Sequence, residues 1–373
     1  MKTCRFFLVI FVVGFVVGSM GLGGTSVSFG ATAKKRILVV SSYHREYLWS
    51  QATQRGLSEA MLKYGYLDNS QQIATLATQD YVESAQAVIT KTWMDTKRKY
   101  STVEIAQTTT RIMQEIKAFQ PDLVLLGDDN AAHYIGNQLL DTAIPVVFWG
   151  INGLPLKYGL VERMDQPGHN VTGVWQSGYL KESLELLHAL VPEAQTFAIL
   201  ACDSITARSK VRQLQALAKK GTLPLQLVDV VTTNSLPEFQ QRTLELAHQV
   251  DAFFILNHDT LKDEHGQHVD MLTVGKWYLE NIKKPEASHE GQFVQEGMLC
   301  TANDSGYNQG YTAFEMAFEI LEREGKPSQM APRTPPRGPL MVNRERAEML
   351  GIALAEKMAV VEEVIDKALA LKK

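Results

Sequence analysis

Short apolar runs alternate with longer stretches of helical periodicity along most of the chain. The runs at 36–40, 123–127 and 146–150 are rich in β-branched or bulky apolar residues and predict buried strands. Between residues 105 and 119, apolar residues recur at intervals of three and four, which predicts a helix. Because the strand runs are apolar throughout rather than alternating, they favour parallel sheets covered on both faces.

The same alternation restarts after residue 170. It predicts an α/β fold of two lobes, each a doubly wound parallel sheet, joined by a hinge. A weaker strand is predicted at 73–77, and a C-terminal helix over 344–373. The predicted strands of the second half are 197–202, 225–231 and 252–256, and its predicted helices are 180–190, 237–250, 269–282 and 307–322.

The first 33 residues have the layout of a secretory signal peptide rather than of a folded element. Lys2 and Arg5 precede an uncharged apolar run over 6–17, and small residues follow at the spacing that signal peptidase accepts. This layout predicts export to the periplasm. An uncleaved membrane anchor is the alternative, because the apolar stretch approaches membrane-spanning length.

Composition narrows the classes of partner. Without Lys2 and Arg5, the 37 Lys and Arg residues fall to 35 against 41 Asp and Glu, so the formal charge of the exported chain is −6. That charge gives no support for nucleic acid or anionic lipid as partners. Cys202 and Cys300 remain after export; they either form a disulfide or, as we favour, are two buried thiols.

Polar and aromatic residues cluster where the predicted strands end. Ligands of open parallel sheets bind outside the carboxyl ends of the strands, so two such rims facing each other form a polar cleft. Asp, Asn and Ser after a strand are also ordinary helix N-caps, which is the alternative for each position. The candidate ligand-binding residues are Ser42, Tyr43, His44, Trp49, Asp128, Asp129, Asn130, Asn152, Trp175, Asp203, Ser204, Asn257, Asp259 and Glu290.

The sequence gives little support for an enzyme. The sequence contains no G-x-S-x-G elbow, P-loop, H-E-x-x-H or G-x-G-x-x-G motif, so we expect no catalytic residue, metal or cofactor. Asp128 and Asp129 are adjacent and their side chains should diverge. His258, His265 and His268 lie in a polar segment that predicts a loop. A secreted α/β enzyme using these groups is the less favoured alternative.

Several segments together resemble one family, the substrate-binding components of ABC transporters with the type I periplasmic-binding-protein fold. The resemblance covers nearly all of the exported chain. It implies lobe crossings near 171–176, 292–301 and 338–343. The segments that carry it are SSYHREYLWSQATQRGL (41–57), WMDTKRK (93–99), PDLVLLGDDNAAHYIGNQLL (121–140), IPVVFWGINGLPLKYGL (144–160), NVTGV (170–174), SLELLHALVPEAQTFAIL (183–200) and RTPPRGPLMVNRERAEMLGI (333–352).

Lobe boundaries follow from that resemblance and the sequence pattern. We expect an N-terminal lobe of 34–172 plus 301–337 and a C-terminal lobe of 173–300. Residues 338–373 are expected to hold the third crossing and a C-terminal helix.

The resemblance also implies a function. The protein is expected to capture a small polar ligand, an amino acid or a related molecule, between its lobes. It would then deliver that ligand, as a monomer, to an ABC permease in the inner membrane. The alternative is a binding protein that signals to a separate membrane kinase or chemoreceptor. Because the chain ends at Lys373, a sensor fused to its own kinase is not expected.

Overall fold

The computed structural model describes Met1 and residues 33–372, so the predicted signal peptide lies almost entirely outside the described residues. Within the described part of the chain, no helix combines the length and apolarity that crossing a bilayer requires. The described residues form two sheets, of six and seven strands.

Both sheets are flanked by helices. The strands are β1 (Lys35–Ser41), β2 (Tyr81–Glu83), β3 (Ala87–Trp93), β4 (Leu123–Gly127), β5 (Val146–Ile151), β6 (Val171–Trp175), β7 (Thr196–Ala201), β8 (Gln226–Thr232), β9 (Ala252–Ile255), β10 (Glu286–Ser288), β11 (Cys300–Ala302), β12 (Leu340–Asn343) and β13 (Glu363–Ile365). The helices are α1 (Leu48–Lys63), α2 (Ser70–Gln79), α3 (Thr102–Phe119), α4 (Asp128–Asn130), α5 (Asn137–Leu139), α6 (Leu180–Leu190), α7 (Ile205–Lys219), α8 (Leu236–Leu246), α9 (Met271–Asn281), α10 (Gly291–Glu296), α11 (Gly306–Glu322) and α12 (Arg344–Met349). A π-helical turn, Ala131–Gly136, joins α4 to α5.

The first lobe is built on the sheet of order β2-β3-β1-β4-β5-β6. Every neighbouring pair is parallel except β2 with β3. Along β1, Ile37 and Val39 pack in one buried cluster, whereas Leu38 and Val40 pack in another. Successive side chains of a strand point to opposite faces, so this sheet is buried on both sides. The predicted doubly wound parallel sheet is confirmed.

The second lobe is built on the sheet of order β13-β12-β11-β10-β9-β7-β8, which is parallel except where β11 meets β12. A buried ion pair lies within this lobe, where Arg346 Nε is 2.9 Å from Glu286 Oε1 and both side chains are fully buried. Cys202 and Cys300 are both buried and free within the described residues. Burial raises the pKa of both thiols.

Three segments connect the lobes. The chain leaves β6 for α6 over 176–179, leaves β11 for α11 over 303–305, and returns from the first lobe to β12 over 330–339. The second crossing therefore lies after the expected 292–301, because α10 precedes β11 and Cys300–Ala302 pairs with both β10 and β12. The expected lobe boundaries stay a prediction.

Two predicted elements are wrong. Residues 73–77 lie in α2, which begins where the Asn69 side chain accepts a hydrogen bond from the Gln72 backbone N–H. The edge strand β2 and its neighbour β3 follow it instead. The expected helix over 344–373 is only Arg344–Met349. Gly351 follows this helix with φ of +70°, a conformation that ends helices, and β13 then pairs with β12.

Candidate functional site

The rims of the two sheets face and contact each other. Tyr43, Tyr47 and Trp49, which follow β1, pack in the hydrophobic cluster of the second lobe. The rings of Tyr43 and Tyr47 meet edge to face, with centroids 5.2 Å apart. The Tyr43 hydroxyl lies 3.4 Å from Thr206 Oγ1 at the start of α7. These contacts bury an aromatic surface between the lobes.

One ion pair crosses the gap between the lobes at close range. Lys97 Nζ, in the segment after β3, lies 2.8 Å from Asp259 Oδ2 in the segment after β9. The Tyr47 hydroxyl donates to the same carboxylate, and Lys97 Nζ lies 4.2 Å from the centroid of the Tyr43 ring. Burial alone would raise the pKa of Asp259, but Lys97 and the hydrogen bonds of Lys97 and Tyr47 hold it at about 2.

Asp129 is a second link between the lobes. Its carboxylate accepts hydrogen bonds from the backbone N–H of Asn152 at 3.0 Å and from the Asn152 side-chain amide at 2.9 Å. The Tyr158 hydroxyl also donates to it. From the second lobe, Thr206 Oγ1 donates at 3.0 Å, and the Ser209 hydroxyl donates to the Asn152 carbonyl at 2.9 Å. Asp129 and Asn152 therefore bind α7.

Asp128 is buried but has few protein partners. Trp49 Nε1 donates to its Oδ1 at 2.6 Å, and no other side chain of the described residues hydrogen-bonds to it. Its φ is +68°, and a Cβ added to Gly150 would lie only 2.5 Å from Asp128 Oδ1, so this close approach requires glycine. Burial raises the pKa of Asp128; Trp49 opposes that change, and Asp129 adds to it.

The second lobe supplies a buried cation to the same region. Lys210 of α7 is fully buried, and its Nζ has no hydrogen-bond partner among the described residues. Burial lowers the pKa of Lys210, whereas Asp304, Glu290 and Asp129 act to raise it. A Cβ added to Gly178 would lie 2.9 Å from Lys210 Nζ, which places this ammonium beside the first crossing segment.

Other buried groups surround these charges. Glu290 accepts a hydrogen bond from Gln292 Nε2. Its negative charge raises the pKa of both Asp128 and Lys210. His289 Nε2 lies 3.2 Å from Glu290 Oε1, but neither ring nitrogen of this histidine forms a hydrogen bond within the described residues. Unpaired buried polar atoms are unusual in native structures and mark sites where a ligand or water completes the bonding.

Three of the remaining predicted residues have clear local partners. The Ser42 hydroxyl donates to the Gly127 carbonyl at 2.6 Å and accepts from the Ala131 N–H, which fixes the turn that carries Asp128. Ser204 is the N-cap of α7. Asp203 is exposed and forms an ion pair with Arg208 at 2.5 Å.

The other four predicted residues differ in burial and in their contacts. Asn257 is buried, and its Nδ2 is 3.3 Å from Asp259 Oδ2. Asn130 donates to Thr96 Oγ1 at 2.8 Å. His44 lies beside Asp95, 3.4 Å away, within the first lobe. Trp175 packs against the first-lobe core at the beginning of the first crossing.

A cavity of about 280 Å³ lies in the outer part of the gap between the lobes. Its walls include Tyr43, Lys97, Asn130, Asp203 and Ser204. Candidate residues from both rims therefore line this cavity. Asp128, Glu290 and Lys210 are buried and do not line it.

Sequence reasoning missed several residues that now stand out. Lys97 and Lys210 were not proposed, because lysines are mostly exposed. Lys97 lies within the family-like segment WMDTKRK, but that segment does not show which of its residues are buried. Tyr47 and Thr206 lie within a few residues of predicted candidates. Asp304 follows β11, a strand too short to predict, and accepts the Gly178 N–H at 2.7 Å.

The three histidines considered as possible catalytic groups, His258, His265 and His268, do not form one cluster. His258 Nε2 lies 2.8 Å from Glu296 Oε1 in the core of the second lobe, and His265 is exposed. His268 Nε2 is 3.1 Å from the Asp259 carbonyl oxygen. Within residues 33–372, no group of three or more His, Cys, Asp and Glu side chains has the arrangement of a metal site.

Comparison with known proteins agrees with this architecture. The family model described as ABC transporter substrate binding protein matches residues 76–364. A tyrosine-binding protein of Clostridioides difficile strain R20291 is 26% identical over 217 residues, covering 58% of this chain and 59% of the relative. The chain therefore aligns with less than two thirds of that relative's length.

Solved structures share the fold. An ABC domain from Streptococcus pneumonia in complex with L-Trp superposes with a TM-score of 0.68 at 20% identity, covering 89% of this chain and 100% of that one. A ligand-free, open substrate binding protein with adhesive properties from Clostridium difficile gives 0.63 at 22% identity, with the same coverage. Given the family match over most of the chain and the two-lobed architecture, this protein belongs to the ABC transporter substrate-binding protein family, with the type I periplasmic-binding-protein fold.

Proposed function

We propose that this protein binds a zwitterionic amino acid with an aromatic side chain between its lobes. The observation that carries the proposal is a buried Lys210 ammonium without a hydrogen-bond partner, together with two buried carboxylates, Asp128 from the opposing rim and Glu290 from the same lobe as Lys210. A buried charge without a partner is costly, and a ligand of complementary charge removes that cost. An amino acid supplies both an anion and a cation.

The Lys210 ammonium is the proposed partner of the ligand carboxylate. Its Nζ has three donors and uses none of them within the described residues. Carboxylate binding would also restore the pKa of Lys210 toward its usual value, because a nearby anion favours the charged form.

Asp128 and Glu290 are the proposed acceptors for the ligand ammonium. Asp128 forms one side-chain hydrogen bond, and burial raises its pKa. An ammonium placed against it would favour the ionised carboxylate and form a charge-assisted hydrogen bond. Glu290 is buried, and its negative charge raises the pKa of both Asp128 and Lys210, so we place the ligand ammonium with the two carboxylates.

The aromatic preference rests on the surrounding side chains and the relatives. Tyr43, Tyr47 and Trp49 form a buried aromatic surface next to these charges. Aromatic rings pack favourably edge to face or offset on one another. The curated relative is called a tyrosine-binding protein, and one structural neighbour holds L-Trp. The remaining predicted residues, including Trp175, Asn257 and Asp203, would shape the entrance and the hinge.

The contacts between the rims support a hinge-closure mechanism. Ligand contacting both lobes would favour the closed form, because only that form offers both sets of partners. We propose that the exported protein acts in the periplasm as a monomer, without transforming its ligand, and delivers it to an inner-membrane ABC permease. Calorimetric titration with L-tryptophan, L-tyrosine and non-aromatic solutes tests the binding step. Selective binding of the aromatic amino acids is expected, and turnover of any of them would contradict the proposal.

Asp259→Asn is expected to weaken ligand binding about tenfold, equivalent to about 1.4 kcal/mol. The variant leaves Lys97 buried without an anionic partner in the closed form, so closure becomes less favourable. Calorimetry at neutral pH measures the change. Asp165→Asn is the matched control: its carboxylate belongs to an exposed ion pair with Arg163 outside the candidate site, and binding should stay within about twofold.

The difference in ligand affinity between wild type and Asp259→Asn should become smaller at low pH. A carboxylate with a lowered pKa contributes stability above its ordinary pKa and loses it as pH falls through the lowered value, here about 2. The difference should therefore hold from neutral pH to about pH 4 and shrink below it. Equal affinities of the two proteins at neutral pH would show that the Lys97–Asp259 pair does not support closure.

A further inference from the structure

A second pocket lies outside the gap between the lobes, on the first lobe between α1, α2 and β3. Its volume is about 470 Å³. Ile73, Ala77 and Trp93 form an apolar wall. The polar side chains that line it are Arg45, Glu46, Ser50, Gln51, Gln54, Arg55, Ser58 and Lys91. The pocket thus combines cationic groups with an apolar surface.

Lys91 is the unusual member of this pocket. Its side chain is only 1% exposed, and its Nζ forms no hydrogen bond within the described residues. Its nearest anion is Asp80, whose Oδ1 lies 3.9 Å away, too far for a hydrogen bond, and has no partner among the described residues. The other oxygen, Oδ2, accepts hydrogen bonds from Arg45 and from Trp93 Nε1. Burial lowers the pKa of Lys91 to about 7, a change that Asp80 opposes and Arg45 reinforces.

Neighbouring donors are also unused. The Ser50 hydroxyl is buried without a hydrogen-bond partner among the described residues, and so is Arg45 Nε. The Lys91 ammonium lies 4.4 Å from the centroid of the Trp93 ring, so cation and aromatic wall adjoin each other. An anion with an apolar body matches both surfaces, whereas Glu46 and Asp80 disfavour a dianion.

We propose that this pocket binds a small organic monocarboxylate, whose carboxylate contacts Lys91 and Ser50 and whose apolar part packs on Trp93 and Ile73. The site is separate from the interlobe site, because its lining residues share none with the groups assigned to the amino acid. Binding there would add a second ligand to the first lobe alone and would not require hinge closure.

The test is a titration with benzoate, followed through the indole N–H resonances of ¹⁵N-labelled protein. The chain has five tryptophans, and Trp93→Phe assigns the resonance that reports on this pocket. Benzoate should shift the Trp93 resonance at concentrations that leave that of Trp49, in the interlobe site, unchanged. Lys91→Met should weaken this binding tenfold or more, about 1.4 kcal/mol.

Lys99→Met, which alters an exposed lysine a few residues further along, is the matched control and should bind benzoate as wild type does. Affinity should also fall as pH rises above about 7, because Lys91 must be protonated. The other charged groups that face the pocket or Lys91 are Arg45, Arg55, Glu46 and Asp80. L-tryptophan affinity should be the same in Lys91→Met and wild type. An unshifted Trp93 resonance, or equal benzoate affinity in Lys91→Met, would overturn the proposal. A response to inorganic phosphate alone would also overturn the monocarboxylate assignment.

Discussion

Lys210→Met is expected to weaken binding of an aromatic amino acid about 100-fold, which corresponds to about 2.7 kcal/mol. The variant removes the cation assigned to the ligand carboxylate and leaves that carboxylate to be buried without a partner. Methionine has a similar length and no charge, so the packing of α7 should be kept. Isothermal titration calorimetry with L-tryptophan or L-tyrosine measures the loss.

The free energy of unfolding of Lys210→Met distinguishes a loss of ligand binding from damage to the fold. Replacing a buried, unpaired ammonium by an apolar side chain should leave the free energy of unfolding unchanged or increase it. Lys219→Met, at the exposed end of the same helix, should change neither affinity nor stability. A Lys210→Met protein that binds the amino acid as tightly as wild type would show that the carboxylate is bound elsewhere.

Arg346→Met is expected to destabilise the protein by about 3–5 kcal/mol, because it leaves Glu286 buried without a counter-ion. Arg346 holds Glu286 through Nε at 2.9 Å and also donates to the carbonyls of Ile282 and Lys284. The pair links β10 to α12, across the second-lobe sheet. Equilibrium urea unfolding, followed by circular dichroism, measures the change.

Arg344→Met, two residues away, is the control. Its guanidinium is half-exposed and lies 3.2 Å from Asp366, an exposed partner, so the expected loss is below about 1 kcal/mol. The double variant Glu286→Gln with Arg346→Met should recover part of the stability, since it removes the unpaired charge. Equal unfolding midpoints for Arg344→Met and Arg346→Met would contradict a structural role for the buried pair.

The hydrophobic pattern predicted the central strands well, because a fully buried parallel strand needs a continuous apolar run. β1, β4, β5, β7 and β9 were all predicted, with the polar residues that follow them. The pattern missed strands that are very short or carry charged residues, such as β3, β10 and β11. The segment at 73–77 is short and apolar like a strand, but Asn69 caps it as a helix, and β3 carries Lys91 among its side chains, which hid the strand.

The candidate site was predicted less completely than the fold. Asp128, Asp129, Asn152 and Asp259 could be proposed because they follow strands that the pattern reveals, whereas Glu290 follows β10, which the pattern did not predict. Lys97 and Lys210 could not, since their burial depends on the closure of two distant halves of the chain. Asp203 and Ser204 were predicted for the same reason but have structural roles. Ser204 caps α7, and Asp203 forms an exposed ion pair with Arg208.

The central claim is that the interlobe site binds both charged ends of an amino acid. Calorimetry comparing L-tryptophan with tryptamine, which lacks the carboxylate, and indole-3-propionate, which lacks the ammonium, tests it most directly. Binding of L-tryptophan with at least about 100-fold weaker binding of each analogue, a difference of about 2.7 kcal/mol, is the predicted result. Equal affinity for L-tryptophan and either analogue, or no binding of any aromatic amino acid, would contradict it.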